Sequence, residues 1–365
     1  MRGRHARAAR VSNSRQARKD YRKTLTLLFV IISTIGVGCQ PMQVALIDFY
    51  GPRSNEAELR ACLPFKVNDT IQILTDSATY YGARKAILDC FKKAQPKIKQ
   101  ADLGFVCCVD SSKWIVYVGV GVENESKKIP ERLKTNDIKL PTEITGLYDS
   151  LQGLLMEAIH RGEAGEDRSS GHALTDYLPM RKVQQEFIRY ANANLNLLIE
   201  VLKTSKYGSQ RAVAATVMGY YHNKAAIIKD LLAAVTDFES EVRNNAVRAI
   251  GVIADYAQSR PDLKLEIPAN LFITMINSIT WTDRNKSMGV LLSLTANRNK
   301  NLLDHLKRDA LEPIVDMAKW KNIGHAEAGL RVLGRMAGWT EKEITDGMND
   351  DREIMIDKML AKIRN

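Results

Sequence analysis

A pattern of small and apolar residues recurs along the C-terminal half of the chain and constrains its fold more than any other feature. In the stretch FESEVRNNAVRAIGVIADYA, an acidic residue at Asp237 precedes Val242-Arg243, Ala246 and Ala249-Ile250-Gly251. The equivalent positions elsewhere are Gln210-Arg211, Ala214 and Val217-Met218-Gly219; Asp283-Arg284, Ser287 and Val290-Leu291-Leu292; and His325, Gly329 and Val332-Leu333-Gly334. Small residues let helices approach closely and apolar residues bury between them, so the pattern predicts stacked helical pairs with a continuous core.

This repeated segment resembles the second helix of a HEAT repeat. An apolar helix precedes each copy, in LNLLIEVL, AAIIKDLLAAV, ANLFITMINSI and ALEPIVDMA. The resemblance is strongest for the second pair and weakest for the third. We therefore expect an all-α HEAT-like solenoid over residues 181–365, with at least four pairs between Leu195 and about Gly338 and a leading helix in VQQEFIRYA. Thr340 and Glu343 predict a capping box before a closing terminal helix.

The same register predicts which positions of each second helix point outward. They are Ala212, Thr216 and Asn223; Asn244, Arg248 and Asp255; Asn285, Gly289 and Ala296; and Glu327, Arg331 and Gly338. Two arginines among these positions do not form a surface that tracks phosphates, so we expect no nucleic-acid partner. We expect instead a protein partner, with Asn244, Arg248 and Arg331 as candidate contacts.

The N-terminus predicts export from the cytoplasm. Residues 1–23 hold nine Lys/Arg and one acid, whereas the rest of the chain, with 44 basic and 41 acidic residues, is close to neutral. About fifteen uncharged, mostly apolar residues follow, from Thr24 to Gly38, which is short for a membrane-spanning helix. Gly38-Cys39 resembles the end of a bacterial lipobox, although Gly36 departs from that motif. Lipidation of Cys39, cleavage without lipid and an uncleaved anchor remain as alternatives, and we expect a protein on the periplasmic side of the cell envelope that a lipid or an uncleaved anchor holds at the membrane.

A small domain is predicted after this segment, over residues 44–123. VALIDFYG is a strand ending at Gly51-Pro52, two helices follow, and LGFVCCVD with WIVYVGVGV predicts a β-hairpin. This strand–helix–helix–strand–strand order resembles a POTRA domain, through the IDFYG strand ending and the FKVNDTI turn. The family usually has Gly-Asp in that turn where this chain has Asn68-Asp69, a mild change because Asn tolerates a left-handed backbone. The fold class is thus an α+β domain followed by an all-α solenoid.

The resemblance to POTRA domains implies that a partner adds a β-strand to an open sheet edge. The predicted edge is the strand from Leu103 to Asp110, where alternation turns Val106 and Cys108 away from the two helices. Val106 and Cys108 are therefore candidate partner contacts. The alternative is that the solenoid or the linker covers this edge.

The cysteines leave two interpretations open. Cys62, Cys90, Cys107 and Cys108 lie in one short segment and form no Cys-x-x-Cys pair, so the spacing does not suit zinc. In an oxidising compartment a disulfide can form. Otherwise they are small buried apolar side chains.

Between the two domains the sequence predicts a linker at 124–141, a helix at 142–160 and an acidic, histidine-containing loop at 161–180. His160 at the helix end is favoured by the helix dipole, and Gly162 stops the helix. A metal site here would need five side chains to converge, namely His160, Glu163, Glu166, Asp167 and His172. Because their spacing matches no known ligand motif, we interpret the loop as a solvated hinge, with a loop that contacts a partner and a metal site as the alternatives.

Together these features favour a non-enzymatic, envelope-associated interaction scaffold with no cofactor. No nucleophile elbow, catalytic triad or phosphate loop appears in the sequence. The alternative is a solenoid enzyme or metal-binding protein that uses the loop at 160–172.

Overall fold

The computed structural model describes residues 42–71, 77–110, 113–122 and 136–364, without the side chains of 42, 77–81 and 108–110. The basic tail, the apolar run and Cys39 lie outside the described residues. So do most of the predicted linker and the side chain of Cys108.

The N-terminal part is a small mixed sheet with two helices on one face. Its strands are β1 (Met42–Tyr50), β2 (Thr70–Ile71), β3 (Gln100–Asp110) and β4 (Lys113–Gly121), and its helices are α1 (Glu56–Ala61) and α2 (Ser77–Ala94). The strand order is β2-β1-β4-β3, with β1 parallel to β4 and the other neighbours antiparallel. This sheet unit, residues 42–122, confirms the predicted order of long strands and helices. The two-residue β2 was not predicted, because it is too short to show alternation.

Alternating strand residues divide the sheet unit between two cores. Val44, Ile47 and Phe49 of β1 pack under α1 and α2 with Leu59 and Phe91. Tyr50 and Tyr117 belong to the second core, which is shared with the helices of the C-terminal part. Both faces of the sheet are therefore covered.

Two local features of the sheet unit follow from its sequence. Asn68 has a φ of 74°, so it adopts the left-handed conformation for which it is suited. Cys62 and Cys90 form a disulfide that joins the end of α1 to α2 across 28 residues, and Cys107 is also disulfide-bonded. The open choice between disulfide and buried thiol is thus resolved for these three cysteines. Closing a loop of this length stabilises a fold by about 3–4 kcal/mol.

The rest of the described chain is mostly helical. A helix α3 (Thr142–Arg161) ends at Gly162, which has a φ of 68°, as predicted. A hairpin of β5 (Glu166–Asp167) and β6 (Leu174–Thr175) follows it. The further helices are α4 (Leu178–Thr204), α5 (Gly208–Met218), α6 (Lys224–Ala234), α7 (Ser240–Ser259), α8 (Ala269–Met275), α9 (Trp281–Leu294), α10 (Lys300–Asp309), α11 (Leu311–Ala318), α12 (Ile323–Met336), α13 (Glu341–Gly347) and α14 (Arg352–Arg364). We call α4 to α14 the helical body.

Consecutive helices of the helical body contact each other in pairs. Helix α4 packs on α5, α6 on α7, α8 on α9 and α11 on α12, and the second helices α5, α7, α9 and α12 pack on one another in series. The predicted leading helix and the first helix of the first pair form one helix, α4, which is kinked at Asn194. The Asn194 side chain donates to the Tyr190 carbonyl, which competes with the regular helical bonds there.

Small residues lie where the helices meet. Ala246 is fully buried in α7. At Gly334 of α12 an added Cβ would lie 2.5 Å from Ile344 Cγ1, so the close approach of α13 requires glycine. The predicted capping box of Thr340 and Glu343 is present at the start of α13. No helix in the described ranges is long and apolar enough to cross a membrane.

Candidate functional site: the contacts of the helical body with the sheet and the hairpin

Three arginines at equivalent repeat positions join consecutive helical pairs. Arg211 of α5 is 1% exposed, and its Nε lies 2.8 Å from Oδ2 of Asp237, in the turn before α7. Arg243 of α7 pairs in a similar way with Asp283, within α9, where its Nη2 lies 2.9 Å from Oδ2. These arginines also donate to backbone carbonyls of the turn before their own helix. Each of these two arginines thus binds the turn before its own helix and an aspartate of the next helical pair.

The third arginine connects this series to the sheet unit. Arg284 of α9 lies 4.0 Å from Asp316 of α11, and its guanidinium stacks over the Tyr50 ring at 4.7 Å. Asp316 also accepts from the backbone N–H of Gly51 at 2.8 Å and pairs with Arg53 at 3.1 Å. The end of β1 is therefore bound to the same carboxylate that continues the repeat contacts.

At the fourth equivalent position the partner is a residue of the sheet. His325 lies in the first turn of α12, and its Nδ1 is hydrogen-bonded to the hydroxyl of Tyr117 on β4. Burial, and after it the charge of Lys286, lowers the pKa of His325 to about 3. Burial also holds the pKa of Tyr117 well above its usual value. Both groups are thus neutral at physiological pH, and the tyrosine O–H donates to the imidazole nitrogen.

Aromatic rings fill the rest of this sheet contact. The Tyr117 ring stacks on Trp281 at 4.9 Å between centroids and lies 5.0 Å from Trp320. The backbone approaches closely here, since a Cβ at Gly119 would lie 2.2 Å from the Ile279 carbonyl oxygen. Such rings contribute both buried area and specific geometry. The sheet is accordingly held in one orientation on the turns before α9 and α12.

Asp48 of the IDFYG segment is also a contact residue. Its carboxylate accepts from the Lys321 backbone N–H at 2.9 Å, and the Lys321 ammonium lies 3.7 Å away. Burial raises its pKa above the usual value despite these partners. The segment that carried the resemblance to POTRA domains therefore binds the helical body in this protein.

The predicted acidic loop is a second contact and is not a solvated hinge. The Glu166 side chain is fully buried between two guanidinium groups, those of Arg168 at 3.1 Å and of Arg248 on α7. Burial alone would raise the pKa of Glu166, but Arg248 and Arg168 hold it below its ordinary value. Arg168 also pairs with Asp255 at 2.5 Å. The prediction failed because it treated Glu166 as solvated, whereas Arg248 of the helical body supplies its counter-charge.

His172 of the same hairpin lies beside a buried lysine. Lys224 Nζ donates to the carbonyls of Gly219 and Tyr221 at 2.8 and 2.6 Å, and lies 3.2 Å from His172 Nδ1. Burial lowers the pKa of Lys224 to about 7, and burial followed by the Lys224 charge lowers that of His172 to about 4. Gly171 has a φ of 77° where Lys224 and Tyr256 leave no room for a Cβ. Through these contacts the hairpin packs on the turn between α5 and α6.

A cavity of about 60 Å³ lies between α3, the hairpin and the helices α4, α5 and α7. Its lining is mixed, with Leu151 and Met180 on the apolar side and Thr216 and Arg248 on the polar side. The Oδ1 atom of Asn244, which also lines it, has no hydrogen-bond partner among the described residues. Pockets for drug-sized ligands are several times larger, so this volume suits ordered water or a very small molecule.

The five candidate metal ligands do not converge. Glu166 is bound by guanidinium groups and His172 faces an ammonium, whereas His160, Glu163 and Asp167 are exposed. A cation at this hairpin would meet the guanidinium groups of Arg168 and Arg248. No group of three potential metal-ligating side chains occurs within the described residues.

Several positions of the second helices that were predicted to point outward are buried, because other segments of the chain pack on them. Ala212, Asn244 and Glu327 are 0%, 7% and 6% exposed. Arg248 is paired with Glu166, and Arg331 with Glu327 and Glu341. The helical register separates the core side of a helix from its other side, but it does not show that α3 and the hairpin pack against that other side.

The candidate β-strand edge is partly closed. Val106 is 4% exposed and packs in the core shared with the helical body. Arg84 of α2 donates to the Ala101 carbonyl at 2.9 Å and pairs with Asp102, whose carboxylate also binds the Leu103 backbone N–H. The first half of β3 thus has its edge groups bound within the sheet unit, a common protection of edge strands.

The residues that the sequence did not single out are Tyr117, Trp281 and Trp320. One signal could have found the hairpin contact, namely the three carboxylates at Glu163, Glu166 and Asp167 together with Arg248 among the outward positions of α7. Comparison of the chain with protein-family models and with curated proteins finds no match.

Proposed function

We propose that this chain is a non-enzymatic protein of the cell envelope that binds a partner protein along the outer face of its helical body. The supporting observation is the series of contacts from Arg211 to Asp237, from Arg243 to Asp283 and from Arg284 to Asp316. Arginine–aspartate pairs between successive helical pairs are expected of a HEAT-like solenoid, and solenoids typically use extended surfaces for binding.

The outer face consists of the exposed residues of the first helix in each pair. They include Glu200 and Lys203 of α4, Ala226 and Lys229 of α6, and Asn270 and Thr274 of α8. The opposite side of the second helices is occupied by the sheet unit, α3 and the hairpin. We therefore no longer assign partner binding to Val106, Asn244 and Arg248, which the protein's own segments contact.

Two features support the envelope location. The basic tail and the apolar run from Thr24 to Gly38 have the composition of an export signal or anchor. The disulfide between Cys62 and Cys90 is of a kind that persists in oxidising compartments outside the cytoplasm. The POTRA-like sheet unit then lies nearest the membrane, because β1 begins three residues after Cys39.

Photocrosslinking in cells tests this proposal. A photoreactive residue at Lys229 or Thr274, both exposed on the outer face, should give one discrete adduct in the membrane fraction. The same residue at Lys358, which is exposed on α14, serves as the matched control. Adducts from the control position alone, or a chain found in the soluble cytoplasmic fraction, would contradict the proposal.

A further inference from the structure

The side of the sheet unit that faces away from the helical body is basic. Residues 51–99, which form α1, α2 and their turns, hold nine Lys/Arg and five Asp/Glu. The exposed lysines of this segment are Lys66, Lys85, Lys92, Lys93, Lys97 and Lys99. Only Lys85 among these six has a carboxylate within ion-pair distance in the described part of the chain, that of Asp89 at 2.7 Å. The remaining five are available to an anionic partner.

The basic residues extend along the whole length of the sheet unit. Lys66 lies at the end where β1 begins, because Val44 and Asp69 are hydrogen-bonded there and Asp69 binds the Lys66 backbone N–H. Lys92 to Lys99 lie at the other end, where Lys99 donates its backbone N–H to Gly121 at the end of β4. A flat surface laid against α1 and α2 would therefore meet lysines at both ends.

The attachment of the sheet unit brings this side close to a membrane. The apolar run ends at Gly38 and β1 starts at Met42. The connection spans about 15 Å at most. The opposite face of the sheet is buried against the helical body. The α1–α2 side is thus the face that can lie on a membrane while the helical body stays in water.

We propose that the basic α1–α2 side docks on anionic phospholipid headgroups and orients the helical body away from the membrane. This inference rests on the proposed membrane association. Lysines near an anionic surface each strengthen binding by about fivefold. The attraction acts within about 10 Å at moderate ionic strength, so it weakens as salt is added.

The test uses the full chain with vesicles of phosphatidylcholine alone or of equal parts phosphatidylcholine and phosphatidylglycerol. Flotation measures association, and an amine-reactive reagent followed by peptide mass spectrometry measures the labelling rate of each lysine. On the anionic vesicles Lys92, Lys93, Lys97 and Lys99 should label about tenfold more slowly than on neutral ones. Lys229 and Lys358, exposed on the helical body, should label equally on both. High salt should abolish the difference.

A variant with four lysines replaced tests whether their charge holds the whole α1–α2 side on the vesicle. In the chain carrying K92Q, K93Q, K97Q and K99Q, the protection of Lys66 by anionic vesicles should also be lost. Flotation with both vesicles but equal labelling in both would overturn the docking and leave membrane association intact. Flotation with neither would overturn both, and flotation with anionic vesicles alone would support the docking and count against the apolar anchor.

Discussion

Replacing Glu166 by glutamine should lower the free energy of unfolding by about 2–4 kcal/mol, because the half-buried guanidinium of Arg248 loses its carboxylate and that of Arg168 keeps only Asp255. Glu166 is fully buried, and Arg168 and Arg248 bind its two oxygens. Chemical denaturation followed by circular dichroism measures the change. Glu163→Gln, three residues away and exposed, is the matched control and should change stability by less than about 0.5 kcal/mol.

A double variant shows whether the loss comes from the unpaired charge. Adding Arg248→Met to Glu166→Gln removes the cation that has lost its carboxylate, so the two substitutions together should cost less than the sum of their separate effects. Equal small effects for Glu166→Gln and Glu163→Gln would mean that the hairpin does not dock on α7 in solution.

Acidification should weaken the contact between the sheet and the helical body through His325. Its pKa is about 3 in the folded chain, because of burial and then Lys286, and is about 6.5 in an unfolded chain. Between these values the unfolded chain binds a proton that the folded chain excludes. The contribution to stability is therefore complete above pH 6.5 and is lost as the pH falls, at up to about 1.4 kcal/mol per pH unit.

The measurement compares the wild type with His325→Gln between pH 6 and 4. Glutamine can still accept from the Tyr117 hydroxyl but does not titrate, so the wild type should lose about 2–3 kcal/mol more over this range. Burial raises the pKa of Asp102 to about 6, which acts in the opposite direction but is present in both proteins. His160→Gln, at an exposed helix end, is the control. Parallel pH profiles for wild type and His325→Gln would refute the assignment.

Local chemistry allowed much of the fold to be predicted. Gly162 ends α3 with a left-handed residue, Asn68 adopts the same conformation in its turn, and Thr340 caps α13. Each feature depends on a few neighbouring residues, so the sequence specifies it directly. The sequence alignment of Arg211, Arg243 and Arg284 was also informative, because each of the three pairs with an aspartate of the next helical pair.

Contacts between distant segments could not be predicted in this way. Tyr117 and His325 are bonded across 208 residues, and Glu166 and Arg248 across 82. Alternation placed Val106 on the face away from α1 and α2, but it did not reveal that Trp281 and Trp320 cover that face. Which segment packs on which depends on the shape of the whole helical body, and periodicity does not encode that shape.

Native-state hydrogen exchange tests most directly whether the sheet unit and the helical body form one cooperative unit, the premise for assigning partner binding to the outer face. In the full chain, the amides of Val116, Val118 and Val120 on β4 should open only with those of Leu330 and Leu333 on α12, at one shared free energy. The buried rings and the bond between Tyr117 and His325 link these elements. If the β4 amides opened at a free energy about 2 kcal/mol or more below that of α12, the sheet would separate from the helical body and expose the face that we regard as covered.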